Sequence, residues 1–198
     1  METKPMSDIQ QSEIIKQLTD ILDELKIGYA IGGSIASSIY GTPRFTQDAD
    51  ITVQSFSSVA QQLYEILKSD FYISKEAMYQ ALQSRTSFNI IHLTTAFKID
   101  LFIQKDDEFQ MQMLSHSRKL PLGKSAKKAS FVSPEVIILL KLDWFRQSGC
   151  DSERQWSDVQ GVLAAQKENL DFEYLKNWAK KLGLNELLQK AISESGIH

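Results

Sequence analysis

The chain has 198 residues, 42% of them hydrophobic and 24% charged, and a formal net charge of −3. That is enough chain for one large domain or two small ones with a real core. It carries too little positive charge for a protein that coats nucleic acid, although a local basic patch stays open. The longest aliphatic run, Val136 to Leu140, is far short of a membrane span. The polar start has no apolar leader, and the single cysteine, Cys150, can form neither an internal disulfide nor a cysteine zinc cluster. The expected compartment is therefore the reduced cytoplasm. His92, His116 and His198 are scattered, which speaks against a histidine-rich metal site.

No repeat and no low-complexity stretch interrupts the chain. After a frayed start, Ile14, Leu18, Ile21, Leu22 and Leu25 recur at helical spacing. Gly28 to Ile31 reads as a buried strand that stops at Gly32-Gly33, and 34–40 as a short helix with Ser34 as its N-cap, broken by Gly41-Thr42-Pro43. Residues 48–53 alternate, with Ala49, Ile51 and Val53 on one face and Asp48, Asp50 and Thr52 on the other, as a strand with one polar face does. A helix over 59–67 follows, then a hairpin of strands 88–93 and 97–103, rich in β-branched and aromatic residues. The intervening 70–86 reads as room for an insert.

From Asp106 the character changes. A helix over 108–114 leads into 115–128, which holds Arg118, Lys119, Lys124, Lys127 and Lys128 and no acid; its basic run 118–128 reads as a solvated loop. Ser133-Pro134-Glu135 marks a helix start. Helical patterns then fill 135–147, 153–166, 171–181 and 184–193. The expected architecture is α+β (α/β), with a mixed β-sheet core flanked by helices in 1–105 and a helical second half in 106–198, the seam lying within 105–133.

The chemistry gathers at strand ends. Asp48 and Asp50 are two apart and project from one face of one strand. Two carboxylates forced side by side repel unless a cation lies between them. Asp100, flanked by Ile99 and Leu101, joins them if its strand is the neighbour; an acid in an apolar strand is costly without a partner. Such hard oxygen ligands suit Mg²⁺ or Mn²⁺, and two such ions can clamp the attacking and leaving oxygens of a phosphoryl displacement. Gly32 and Gly33 let a phosphate approach a helix N-terminus, where the Ser34 hydroxyl can add a hydrogen bond.

The run AIGGSIASSIYGTPRFTQDADITV, followed by FKIDLFI, resembles the nucleotidyltransferase superfamily of the DNA polymerase β type. Its spacing of Arg44, Thr46, Asp48 and Asp50, with SPEVIILLKLDWFRQ and ERQWSDVQGVL further on, resembles small bacterial minimal members of the AbiEii type, the toxins of toxin–antitoxin systems. The resemblance covers roughly 25–180. It implies that Gly32, Gly33 and Ser34 cradle an NTP and that Asp48, Asp50 and Asp100 hold two Mg²⁺ or Mn²⁺ ions. Asp100 also assists deprotonation of the acceptor, and Lys141 lies near the phosphates. The implied reaction moves an NMP from an NTP to an acceptor hydroxyl and releases pyrophosphate. A tRNA 3′ end, a protein side chain or a small molecule such as an aminoglycoside could supply that hydroxyl. A cognate antitoxin is the implied partner, and no membrane is involved. Thirteen residues lie between Ser34 and Asp48, at the long end of the family spacing.

Plainer readings stand beside these. Arg44 either ties its loop to a carboxylate or reaches a phosphate. Lys141 either serves the site or packs its stem with the amine in water. Arg154 and Asp158 form an ordinary i, i+4 helix pair. Trp144, Trp156 and Trp178 belong to the core rather than to stacking platforms. The alternatives to an enzyme are a catalytically weak nucleotide- or partner-binding module and a nucleic-acid binder acting through 118–128.

Overall fold

The structure is a computed structural model and describes residues 8–123 and 127–196. The frayed start, Lys124 of the basic stretch and His198 lie outside the described residues. In chain order the elements are α1 (Asp8–Glu24), β1 (Tyr29–Ile31), α2 (Gly33–Tyr40), β2 (Asp48–Val53), α3 (Ala60–Leu67), β3 (Phe71–Ile73), α4 (Lys75–Ser84), β4 (Ser87–His92), β5 (Lys98–Ile103), α5 (Glu108–Ser115), β6 (Arg118–Pro121), β7 (Lys128–Phe131), α6 (Pro134–Gln147), α7 (Glu153–Gln166), α8 (Phe172–Lys181) and α9 (Asn185–Glu194). A 3₁₀ turn over Ser57–Val59 leads into α3. No described helix is long and apolar enough to cross a membrane.

The chain forms two compact units, each discontinuous in sequence. The first is Met1–Ile31 with Phe45–Phe131, and the second is Gly32–Arg44 with Val132–His198.

The first unit is built on a mixed seven-stranded sheet of order β3-β4-β5-β2-β1-β7-β6. Strands β2 and β5 run parallel, as do β1 and β7, and the remaining neighbours are antiparallel. Alternation decides which side chains are inside: Ala49, Ile51, Val53, Ile99, Leu101 and Ile103 are no more than 2% exposed. Ile15, Leu18 and Leu22 bury the apolar stripe of α1.

Two parts of this unit differ from the sequence expectation. The supposed insert at 70–86 is β3 and α4, the helix capped by Ser74 Oγ, which accepts from the Ala77 amide at 3.2 Å. Of the supposed basic loop, Arg118–Pro121 form β6, paired antiparallel with β7, which begins at Lys128, so two strands separate α5 from the helices that begin at Pro134. Two of its lysines are engaged: Lys127 Nζ lies 2.5 Å from Asp20 Oδ1, and Lys119 lies over the Tyr29 ring.

The second unit is helical. Helix α6 begins at Pro134, capped by Ser133 Oγ. Val136, Ile137, Ile138, Leu139 and Leu142 are all buried, so α6 is apolar around most of its circumference and forms the unit's centre. Helix α2 packs with α6 and α7.

Candidate functional site

In the first unit, the parallel pairing of β2 with β5 sets Asp50 directly opposite Asp100 and Asp48 opposite Lys98. Neighbouring strands lie roughly 4.8 Å apart. Both strands bury alternate residues, so Asp48, Asp50, Lys98 and Asp100 share the partly exposed face. The adjacency that the sequence left conditional is therefore present.

Three further contacts orient this face. Thr46 Oγ1 donates to Asp48 Oδ1 at 3.0 Å, and the Thr46 carbonyl accepts from Gln11 Nε2 at 2.6 Å. Lys98 Nζ lies 2.6 Å from Asp100 Oδ2. That hydrogen bond, with the added attraction of Asp100, Asp48 and Asp50, holds the Lys98 ammonium above its ordinary range despite some desolvation.

The donor chemistry of these carboxylates fits a hard divalent cation. Among the described residues, however, no three acid, imidazole or thiol groups stand gathered as a ready-made metal cage. The Lys98 ammonium stands at salt-bridge distance from Asp100.

In the second unit, Gly33 opens α2 at φ 55°, a left-handed conformation that glycine adopts without strain. Gly32 stands at the N-cap with no side-chain cap bond. The expected cap, Ser34, is instead inside the helix. The positive φ of Gly33 turns the chain earlier, and the Ser34 Oγ accepts from Arg44 Nη2 at 2.5 Å.

Arg44 forms a fork on Asp158, with Nε 2.9 Å from Oδ1 and Nη2 3.0 Å from Oδ2. Lys141 Nζ lies 2.8 Å from Asp158 Oδ2. The Arg44 backbone is tied in turn to Ser38, whose hydroxyl meets the Arg44 amide and carbonyl. Burial pushes the Asp158 carboxyl up, but the hydrogen bonds and charges of Arg44 and Lys141 outweigh it and hold the group below the usual carboxylate range.

Two sequence readings change here. Asp158 pairs with Arg44 and Lys141, not with Arg154, which is exposed. The Lys141 amine is not in water: its side chain is 3% exposed. Both corrections have one cause, since a cation on an apolar helix must meet a buried acid. Asp158 and Lys98 were the residues missed. A signal for Asp158 was present, because it lies one residue before Val159 and four before Val162, on the apolar face of α7.

The units thus hold the candidate residues in two sets. Asp48, Asp50 and Asp100 belong to the sheet unit; Gly32, Gly33, Ser34, Arg44 and Lys141 belong to the helical unit. Within the second set, Arg44 and Lys141 both meet the Asp158 carboxylate, and Arg44 also reaches Ser34, near the start of α2.

No protein-family model matches the sequence, and no curated protein matches it. Solved structures do. An antigenic nucleotidyltransferase-like protein from Paracoccidioides brasiliensis superposes with a TM-score of 0.55 at 18% identity, over 96% of this chain and 95% of that one. The antibiotic-resistance factor ANT(2″)-Ia superposes in solution with a TM-score of 0.56 at 14% identity, over 95% of this chain and 96% of that one. In its crystal complex with adenylyl-2″-tobramycin the TM-score is 0.58, over 86% of this chain and 97% of that one. At these identities the likeness concerns architecture: the chain has the nucleotidyltransferase fold.

Proposed function

We propose that the protein transfers a nucleoside monophosphate from an NTP to an acceptor hydroxyl and releases pyrophosphate. The observation that carries this reading is the in-register pairing of Asp50 with Asp100 on parallel strands, with Asp48 on the same face. Asp48, Asp50 and Asp100 would hold Mg²⁺ or Mn²⁺, which when bound neutralises phosphate charge and polarises the reacting oxygens.

The chain's own groups account for the rest. Asp100 accepts the proton of the acceptor hydroxyl, whose oxygen forms the new bond to the α-phosphorus as the bond to the bridging oxygen of the pyrophosphate breaks. Gly32 and Gly33, buried at the start of α2, would turn their backbone amides to the triphosphate, whose charge the helix dipole favours. Arg44, held rigid by Asp158, offers guanidinium donors to the same phosphates, with Ser34 beside it. Lys141 adds positive charge to that network from below the surface.

The ANT(2″)-Ia complex with adenylyl-2″-tobramycin supports a small-molecule hydroxyl as the first acceptor class to test. A tRNA 3′ end and a protein side chain follow, as does a role as the toxin of a toxin–antitoxin pair.

The test is calorimetry of the four NTPs with and without Mg²⁺, on the wild type and on Asp48→Ala/Asp50→Ala. Magnesium-dependent binding that disappears in the double variant supports the reading. Absence of binding for every NTP, or full binding in the double variant, overturns it.

A further inference from the structure

The carboxylate face of the sheet carries its own cation. Lys98 is the register partner of Asp48, and its Nζ lies 2.6 Å from Asp100 Oδ2. It shares the solvent-facing side of β2 and β5 with Asp48, Asp50 and Asp100. A like-charged trio on one sheet face is unfavourable on its own, and the ammonium offsets that repulsion. The Lys98 side chain is 41% exposed, so its amine can turn into water on its flexible stem. The Asp100 oxygen that it holds belongs to the residue placed at the centre of the proposed chemistry.

We propose that Lys98 is the resident counter-ion of this face, that it competes with a divalent cation for Asp100, and that this exchange sets how tightly the acids bind metal. The inference rests on the reading of Asp48, Asp50 and Asp100 as metal ligands. Ammonium and divalent ion exclude one another at the shared oxygen. Lys98 thereby weakens metal binding in the free protein, and its displaced amine becomes a donor for a phosphate oxygen arriving with the metal.

The experiment is titration of the full chain with Mn²⁺ alone, with no nucleotide, following the free-ion electron paramagnetic resonance signal. The proteins are the wild type, Lys98→Met, Lys98→Arg and Asp48→Ala/Asp50→Ala. Lys98→Met is expected to bind Mn²⁺ about tenfold more tightly than the wild type, the effect of removing one neighbouring charge. Lys98→Arg is expected to stay near the wild type, and the double aspartate variant to lose binding. The gain in Lys98→Met shrinks as salt is raised, because the pair is partly exposed.

Unchanged or weaker binding in Lys98→Met, with Mn²⁺ still bound by the wild type and lost in the aspartate variant, overturns the counter-ion role and leaves the metal reading intact. Failure of both wild type and Lys98→Met to bind Mn²⁺ overturns the two together.

Discussion

Asp158 Oδ2 stands 2.8 Å from Lys141 Nζ, and the two side chains are 7% and 3% exposed. Removing one partner of such a pair leaves the other charge buried and uncompensated, a loss of about 3–5 kcal/mol. Asp158→Asn is therefore expected to lower the stability of the helical unit by that order, read by denaturant unfolding of the far-ultraviolet signal. Asp158→Leu combined with Lys141→Met, which removes both charges, is expected to recover most of the loss. Arg44, at 27% side-chain exposure, can then turn to water.

The same carboxylate gives the protein an acid limb. Its folded value lies below the ordinary one of about 3.9. The unfolded chain therefore takes up its proton first as pH falls. The stabilisation is complete above roughly pH 4 to 5 and is lost as pH drops through the lower folded value. Melting temperature measured from pH 7 down to pH 3 should fall less steeply in Asp158→Asn than in the wild type. Equal slopes would remove Asp158 from the acid response.

The sheet acids are expected to matter little to folding. Asp48→Ala with Asp50→Ala removes like charges from a partly exposed face, so folding loses little, and the melting temperature should move by less than about 4 °C. Nucleotide turnover is expected to vanish in the same protein. A large fall in melting temperature would show that these acids serve the fold instead.

Close backbone approach between α2 and α7 offers a fourth test. A methyl group at Gly41 would lie 2.7 Å from the Val162 amide nitrogen and 2.8 Å from the Gly161 carbonyl carbon. Backbone cannot swing aside as a side chain can, so Gly41→Ala should cost about 1–3 kcal/mol. Gly33→Ala meets a different obstacle, the left-handed φ of 55°, at about 1 kcal/mol. An unchanged unfolding midpoint in Gly41→Ala would contradict the packing of these helices.

Much of this was legible in the sequence because it was local. The alternation of 48–53 gave β2 with its observed bounds, and the apolar flanks of Asp100 placed it on β5. Helix α7 matched its periodicity from end to end. The elements that escaped carry weak patterns. Strand β3 is three residues long with Tyr72 60% exposed, and α4 buries only Met78, Ala81 and Leu82. Strand β6 lies at the sheet edge, where lysine and arginine are common because they discourage further pairing, and the same residues read as a loop. What no local pattern could show is the grouping of α2 with the C-terminal helices or the joining of Arg44 to Asp158, which are 114 residues apart.

That separation bears on how the chain is made. As synthesis proceeds, every strand of the sheet has emerged by Phe131, and the first unit has all its segments. Helix α2, by contrast, waits for α6 and α7, and Arg44 has no Asp158 until a further stretch of chain has left the ribosome. An eight-residue helix is marginal alone in water. The glycine-led segment that precedes β2 in the chain therefore meets its packing partners only after α6 and α7 have been made, long after its own residues.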